Sequence, residues 1–458
     1  LSSGDEHLRD RFRAPLELSG GSLGLGKPQL SADHKNIYFQ NFDNHGMQDV
    51  LIQGKDRHQH TFLLMSADNS RYRQAINMSS GSRYQYRVHQ GGAIRNMERP
   101  NWSADNKKFH LRDIDGDGKT DILIQGLRSD QRTFLMFANA NGDFSVAWEL
   151  SGGMFGGMQK GYWSADHKRL HFADFNKDGR LDILIQGRRD NQRSYLLLSD
   201  GYRRFRNHIV LSDWGTVKVG QPHWLDVNKV LRIHDFTGDG HPDVLLQGKG
   251  ASQISYLLKG HPTRGLGDGI NLHNANPNMG TARWAHTNKV LHVVDINKDG
   301  RKDVILQGRD RHQHTFMVFG AANGFGAVRT LSDGMYGGMD KANWSHDNKN
   351  LHYRNFDKDG RHDILIHGKG TDQRTFLLYS NGTSGFKNHV DISNGNILRD
   401  ASRQRWDGNS RRLLFADYND DNRLDILLIP FSQARSTYVV DNLDSNLPNA
   451  RMRKIDLL

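Results

Sequence analysis

Cysteine is absent from all 458 residues, so neither disulfide bridges nor thiolate-bound metals stabilise the fold. No stretch approaches the ~18 consecutive apolar residues of a membrane-spanning helix, and the start lacks the apolar segment of a signal peptide. The chain opens on Leu1 rather than Met; we read it as a processed or excised piece of an exported precursor and expect an extracellular or cell-surface protein. Apolar residues are scarce, at 36% of the chain, and mean hydropathy is −0.73. That scarcity argues against one deep core and for many small stacked ones. Stability must come from packing or from oxygen-ligated ions.

Helical periodicity is missing as well, and a repeat stands in its place. "DFNKDGRLDILIQG" from Asp174 recurs in variant form from Asn41, Asp113, Asp235, Asp295, Asn355 and Asp417, with starts 72, 61, 61, 60, 60 and 62 residues apart. A Trp stands about ten residues ahead of six copies, at Trp102, Trp163, Trp224, Trp284, Trp344 and Trp406, with Leu30 in that place in the first. Each period holds about four strand-like runs separated by Gly, Asn and Asp turns. Four short strands per unit is the pattern of a propeller blade. Aliphatic runs such as Ile183, Leu184 and Ile185 do not alternate with polar residues, so both faces of that strand are expected to be buried between stacked blades.

The sequence therefore predicts an all-β fold: a seven-bladed β-propeller of four-stranded antiparallel blades, one domain over residues 1–458. Repeats begin near 30, 102, 163, 224, 284, 344 and 406. An outer strand at 15–21 or at 451–458 is expected to close the ring.

The repeated stretch crowds acids into a loop. Asp174, Asn176, Asp178 and Asp182 occupy positions 1, 3, 5 and 9, with Gly179 at position 6 where the chain turns sharply. Alternate oxygens on a tight turn converge on one point, and calcium takes 6–8 oxygen ligands, including a backbone carbonyl at position 7. The candidate ligands elsewhere are Asp113, Asp115, Asp117 and Asp121; Asp235, Asp239 and Asp243; Asp295, Asn297, Asp299 and Asp303; Asn355, Asp357, Asp359 and Asp363; and Asp417, Asn419, Asp421 and Asp425. Several calcium ions are expected, up to about six. Magnesium, with its stricter octahedron, fits less well. An EF-hand is excluded because position 12 is Ile185, inside a strand. The first loop, with Asn41 and His45, is expected to be weak or empty; Thr237 and Asn422 weaken the fourth and seventh. The basic side chains at position 7, such as Lys119, Arg180 and Arg301, are expected to point away from a bound ion.

These loops and their flanks resemble the FG-GAP and VCBS repeats of the calcium-binding propeller in integrin alpha chains and of many bacterial surface and secreted proteins. The resemblance runs from about residue 30 to 440. "ILIQG" followed by "QRTF" or "QRSY" is also similar to propeller modules of large Rhs/YD-type bacterial exoproteins. Both resemblances imply calcium binding and an extracellular binding, adhesion or shielding module; fold analogy implies no more.

Function is expected at the opposite rim, where the turns between second and third strands read "GKDRHQH" (54–60), "GLRSDQR" (126–132), "GRRDNQR" (187–193), "GRDRHQH" (308–314) and "GKGTDQR" (368–374). Candidate ligand-binding residues are Arg128, Arg188, Arg189, Arg309, Arg311, His312 and Lys369, with Trp163 and Trp344 as stacking platforms or, by the commoner use of a buried Trp, packing residues. Trp148 and Trp214, outside the repeat register, read as packing residues, and Gln125, Gln186, Gln247 and Gln307, with His367, as bonds between blades. The motif positions of the acid loops hold 21 of the 51 acidic residues, against 62 Lys and Arg. Loops neutralised by calcium leave a basic surface suited to glycans, anionic surface polymers or a protein partner; no nucleic-acid motif accompanies it. The alternatives are a shielding part of a larger secreted protein, or a polysaccharide lyase or hydrolase. A lyase would draw on residues that break the repeat, such as His223, His241, Tyr162 and Tyr336; no Ser-His-Asp order, metalloprotease helix motif or phosphate loop appears.

Overall fold

The computed structural model describes residues 25, 31–68, 71–73, 75–87, 94–153, 155–201, 203–275, 279–382, 385–387, 389–395, 401–432, 436–441 and 451–455. The chain forms two compact units, residues 1–216 with 220–226, and residues 217–219 with 227–458. The first unit holds three large sheets and the second holds four.

Each repeat builds its sheet in the same order. In the third, Lys168–Ala173 pairs antiparallel with Asp182–Gly187, which pairs with Tyr195–Leu197, which pairs with Ile209–Val210. The second strand is buried along its whole length in the first six repeats. Its β-branched and aliphatic side chains are covered on both faces of the sheet, the reason its sequence does not alternate. The cores lie between successive sheets of a unit. Trp163 packs with Leu123 and Leu135 of the second sheet and with Ile183, Ile185 and Leu197 of the third. Trp344 packs likewise with Ile305 and Met317, and with Ile364, Ile366 and Leu378.

The expectation of seven four-stranded antiparallel blades needs correction. Such blades number six, and the second repeat departs from the pattern with a six-stranded sheet. There, Ser80–Arg87 pairs antiparallel with Ile94–Glu98 and parallel with Ala147–Glu149, so a hairpin extends the outer edge. The cause is legible in the spacing: the first period is 72 residues where the others are 60 to 62, and the extra residues become the hairpin. In the last repeat Arg451–Ile455 pairs with Thr437–Asp441 as the fourth strand. The alternative outer strand at 15–21, and Leu30, lie outside the described residues.

Two repeated devices join the elements. The Nε2 of Gln53, Gln125, Gln186, Gln247 and Gln307 donates to the carbonyl of the next repeat's Trp at 2.7–2.9 Å, and His367 Nε2 does the same to Trp406. This is the bond between blades that the repeated Gln suggested. The second device was not foreseen. Lys35, Lys107, Lys168, Lys229, Lys289 and Lys349 open the first strands, are at most 4% exposed, and donate Nζ to a carbonyl 25 residues on. Four of them lie 5.1–5.3 Å from the ring that starts the third strand, such as Lys168 over Tyr195. Burial pushes Lys107 down to about 7 and Lys168 to about 8. The signal was the invariable Lys at this place in six repeats, with Arg411 in the last, which a reading of Lys as a surface residue passes over.

Candidate cation loops and basic turns

In every repeat the acid loop connects the first strand to the second, and its backbone explains its composition. Position 6 has a positive φ throughout, 84° at Gly179 and 61° at Asn422, the conformation in which a side chain costs most. Position 4 is left-handed too, at Lys177, Lys298, Lys358 and Asp420. Two such residues curl the loop so that its N–H groups point inward. In the third loop Asp174 Oδ1 accepts from Asp178 N at 3.0 Å and Oδ2 from Gly179 N at 2.8 Å, while Asp178 Oδ1 accepts from Arg180 N at 3.0 Å. The fifth loop repeats these contacts at Asp295 and Asp299.

Position 9 has a separate job. Asp49, Asp121, Asp182, Asp243, Asp303, Asp363 and Asp425 are at most 1% exposed. One oxygen of each accepts the N–H of position 2 at 2.8–2.9 Å. In the first six repeats the other accepts an N–H 17 residues on, at 2.7–2.9 Å. These carboxylates pin the loop to the strands. Burial pushes Asp121 and Asp182 up to about 7, against the pull of those N–H bonds toward the ionised form. Position 2 was also missed: Phe42, Ile114, Phe175, Phe236, Ile296 and Phe356 are at most 2% exposed and anchor the loop in the core.

The second loop is the most complete. Ligand atoms of Asp113, Asp115 and Asp117 lie within 4.8 Å of one another. Asp115, whose side chain is 9% exposed, turns one buried oxygen, Oδ1, to no protein partner. A buried carboxylate oxygen without a donor is what a hard, oxygen-seeking cation satisfies, so these residues fit calcium. In the third, fifth and seventh loops the position-3 Asn turns Nδ2 toward the position-5 Asp at 3.0–3.2 Å. In the fourth, Thr237 turns its hydroxyl to Asp243 at 3.4 Å. In the first, His45 Nδ1 lies 2.8 Å from Asp43.

The basic residue at position 7 does not point away. Lys119 reaches Asp117 at 2.7 Å, Arg180 reaches Asp178 at 3.0 Å, Arg301 reaches Asp299 at 3.2 Å, and Arg361 pairs with Asp359. The carboxylates concentrate negative charge that draws the nearest flexible cation inward. Arg203, from the third repeat, adds contacts of 2.7 Å to Asp115 and 3.3 Å to Asp117. Burial and the adjacent Asp117 hold Asp115 above the usual carboxylate range despite Arg203.

The basic turns lie at the other end of the same strands. Arg128, Arg189, Arg311 and His312 are exposed. Arg188, Arg309 and Lys369 are half-buried braces that donate to the carbonyls of Ala165, His286 and His346 in the turn leading into their own sheet. Trp163 and Trp344 are 0% exposed and offer no ring face to a ligand. Trp148 packs against the core, but Trp214 is 61% exposed, a correction to its reading as a packing residue. Of the residues that break the repeat, Tyr336 is 3% exposed and stacks edge-on to Phe386, while Tyr162 lies against Tyr195.

This loop geometry has a counterpart among known families. Residues 113–185 match the FG-GAP-like repeat. The FG-GAP-like segment runs from the second acid loop through the second strand of the third sheet. No curated protein matches the chain in sequence. Among solved structures, an Agrocybe aegerita lectin that recognises non-reducing terminal N-acetylglucosamine is 17% identical, with a TM-score of 0.49 over 92% of this chain and 90% of that one. BBS1N, solved in complex with ARL6DN, is 8% identical, with a TM-score of 0.31 over 88% and 91%. Neither likeness bears on function.

No helix among the described residues is long and apolar enough to cross a membrane.

Proposed function

We propose that this chain is an extracellular binding module for glycans or other anionic surface polymers, stabilised by calcium in its acid loops and presenting its basic turns to the ligand. One observation carries the reading: the antiparallel register sets the acid loop and the basic turn at opposite ends of the second strand. In the third sheet Ala173 pairs with Asp182 at the acid end and Lys168 with Gly187 at the basic end. In the second, fifth and sixth sheets the same register recurs. In the second loop Asp113, Asp115 and Asp117 would hold the ion, which supplies positive charge that lets three carboxylates share one small volume. With the acids so neutralised, the exposed Arg128, Arg189 and Arg311 dominate the field at the other end.

A panel of acidic and neutral glycans, presented with calcium at two salt concentrations, tests the reading. Binding to uronate or sulfated chains that weakens at high salt is the expected result. A blank panel overturns it.

A further inference from the structure

The first and fifth basic turns are nearly the same heptapeptide, "GKDRHQH" at 54–60 and "GRDRHQH" at 308–314. Their surroundings differ because the hairpin of the second repeat follows the first turn. Beside it lies a cavity of about 670 Å³ whose lining includes Arg57, His60, Ser79, Ser80, Glu98 and Arg99. That volume falls within the range of small-molecule sites, about 300–1,000 Å³.

The lining is organised before any ligand arrives. Arg99 donates one N–H to the His58 carbonyl at 3.0 Å, which fixes the guanidinium and leaves its other donors to the cavity. Ser79 Oγ, 3% exposed as a residue, accepts from Thr61 N at 3.0 Å and lies 3.1 Å from His60 Nδ1. Lys35 Nζ holds the His60 carbonyl from below at 2.6 Å. In the fifth sheet Ser332 bonds His314 and Thr315 in the same way, but the next residue is Asp333 where the first turn has Ser80. The fifth turn thus carries a carboxylate at its mouth, and the first carries a hydroxyl.

We infer that this cavity binds a saccharide residue bearing one anionic group, a carboxylate or a sulfate. Arg57 and Arg99 take the anion, and Ser80, Glu98 and the Nε2 of His60 take ring hydroxyls. Glu98 decides the class. A carboxylate accepts hydrogen bonds from sugar hydroxyls but repels a polyphosphate, and two guanidiniums against one carboxylate suit a singly charged residue. The inference rests on the glycan-binding reading and gives it an address.

Calorimetry on the full chain with calcium, using trigalacturonate, a sulfated chondroitin oligosaccharide and neutral maltotriose, tests both. The wild type is expected to bind at least one acidic probe and not maltotriose. Arg57→Glu and, independently, Ser80→Asp are expected to weaken binding by at least about tenfold, because each sets a like charge against the ligand. Arg264→Glu, a charge reversal at an exposed residue in the turn between the third and fourth strands of the fourth sheet, at that sheet's acid-loop end, is expected to stay within about twofold of wild type. Thermal melting checks the fold of each variant, and Ser80→Asp decides if Arg57→Glu misfolds. Wild-type binding that survives both cavity changes, or falls equally with Arg264→Glu, overturns this address and leaves the glycan reading standing. No wild-type binding to either acidic probe overturns both.

Discussion

Asp178 and Asp182 sit four residues apart in the third loop and perform different tasks. Asp182 accepts Phe175 N on one oxygen and Ser199 N on the other, at 2.9 and 2.8 Å. In Asp182→Asn one of those N–H groups faces an amide NH₂, a loss of about 1–3 kcal/mol that calcium does not repair. Asp178 Oδ1 accepts Arg180 N, a bond an Asn keeps, and its half-exposed pairing with Arg180 contributes at most about 1 kcal/mol. Asp178→Asn is therefore expected to melt near wild type in chelator and to lag it in calcium, while Asp182→Asn melts lower in both. Differential scanning calorimetry with and without calcium separates them. The spacing of acids identified both residues, but only the fold shows that position 9 is a pin, because its N–H partner 17 residues on belongs to another strand.

At the joints between elements the sequence varies one part at a time. His367 replaces the Gln of five other repeats and donates to Trp406 from a buried ring. Burial first, then the nearby His352, push it down to about 4, with Asp407 and the Trp406 carbonyl opposing. A group whose folded value lies below its unfolded value of about 6.5 contributes stability that is complete above pH 6.5 and is lost as pH falls toward 4. His367→Gln keeps the bond and removes the titration. The variant is expected to gain on wild type by up to about 3 kcal/mol between pH 7 and pH 4, read from urea unfolding at the two pH values. Trp344→Ala empties a site between two sheets and is expected to cost about 3–5 kcal/mol. Trp214→Ala, at 61% exposure, is expected to change unfolding by no more than about 0.5 kcal/mol. Composition alone does not tell these tryptophans apart; their place relative to the repeat does.

Taken as a whole, the molecule spreads its stability over many small interfaces, and the proposed calcium in its acid loops would couple them to ions in solution. A cation that binds only the folded loop stabilises it by mass action. Thorough chelation is expected to lower the melting temperature, and titrating calcium back to restore it, in steps if loops fill at different affinities. A melting temperature indifferent to chelator would remove calcium from the account and leave Lys119, Arg203 and the other paired cations as the loops' sole counter-charges. Because successive sheets within a unit pack on one another, damage to one loop is expected to show first as a local loss of amide protection in that sheet.

The repeat, the four strands per period, the buried second strand and the acid loops followed from sequence, since local patterning and turn chemistry set them. Even the irregular sheet left its mark in a 72-residue spacing. Tertiary structure decided what depends on residues distant in the chain. It built the six-stranded sheet, buried the lysines under aromatic rings, folded the position-7 cations onto the acids, and set Arg99 and Ser80 beside Arg57. A sequence records which groups are present; the distances between them, which govern charge and burial, are fixed only when the strands pair.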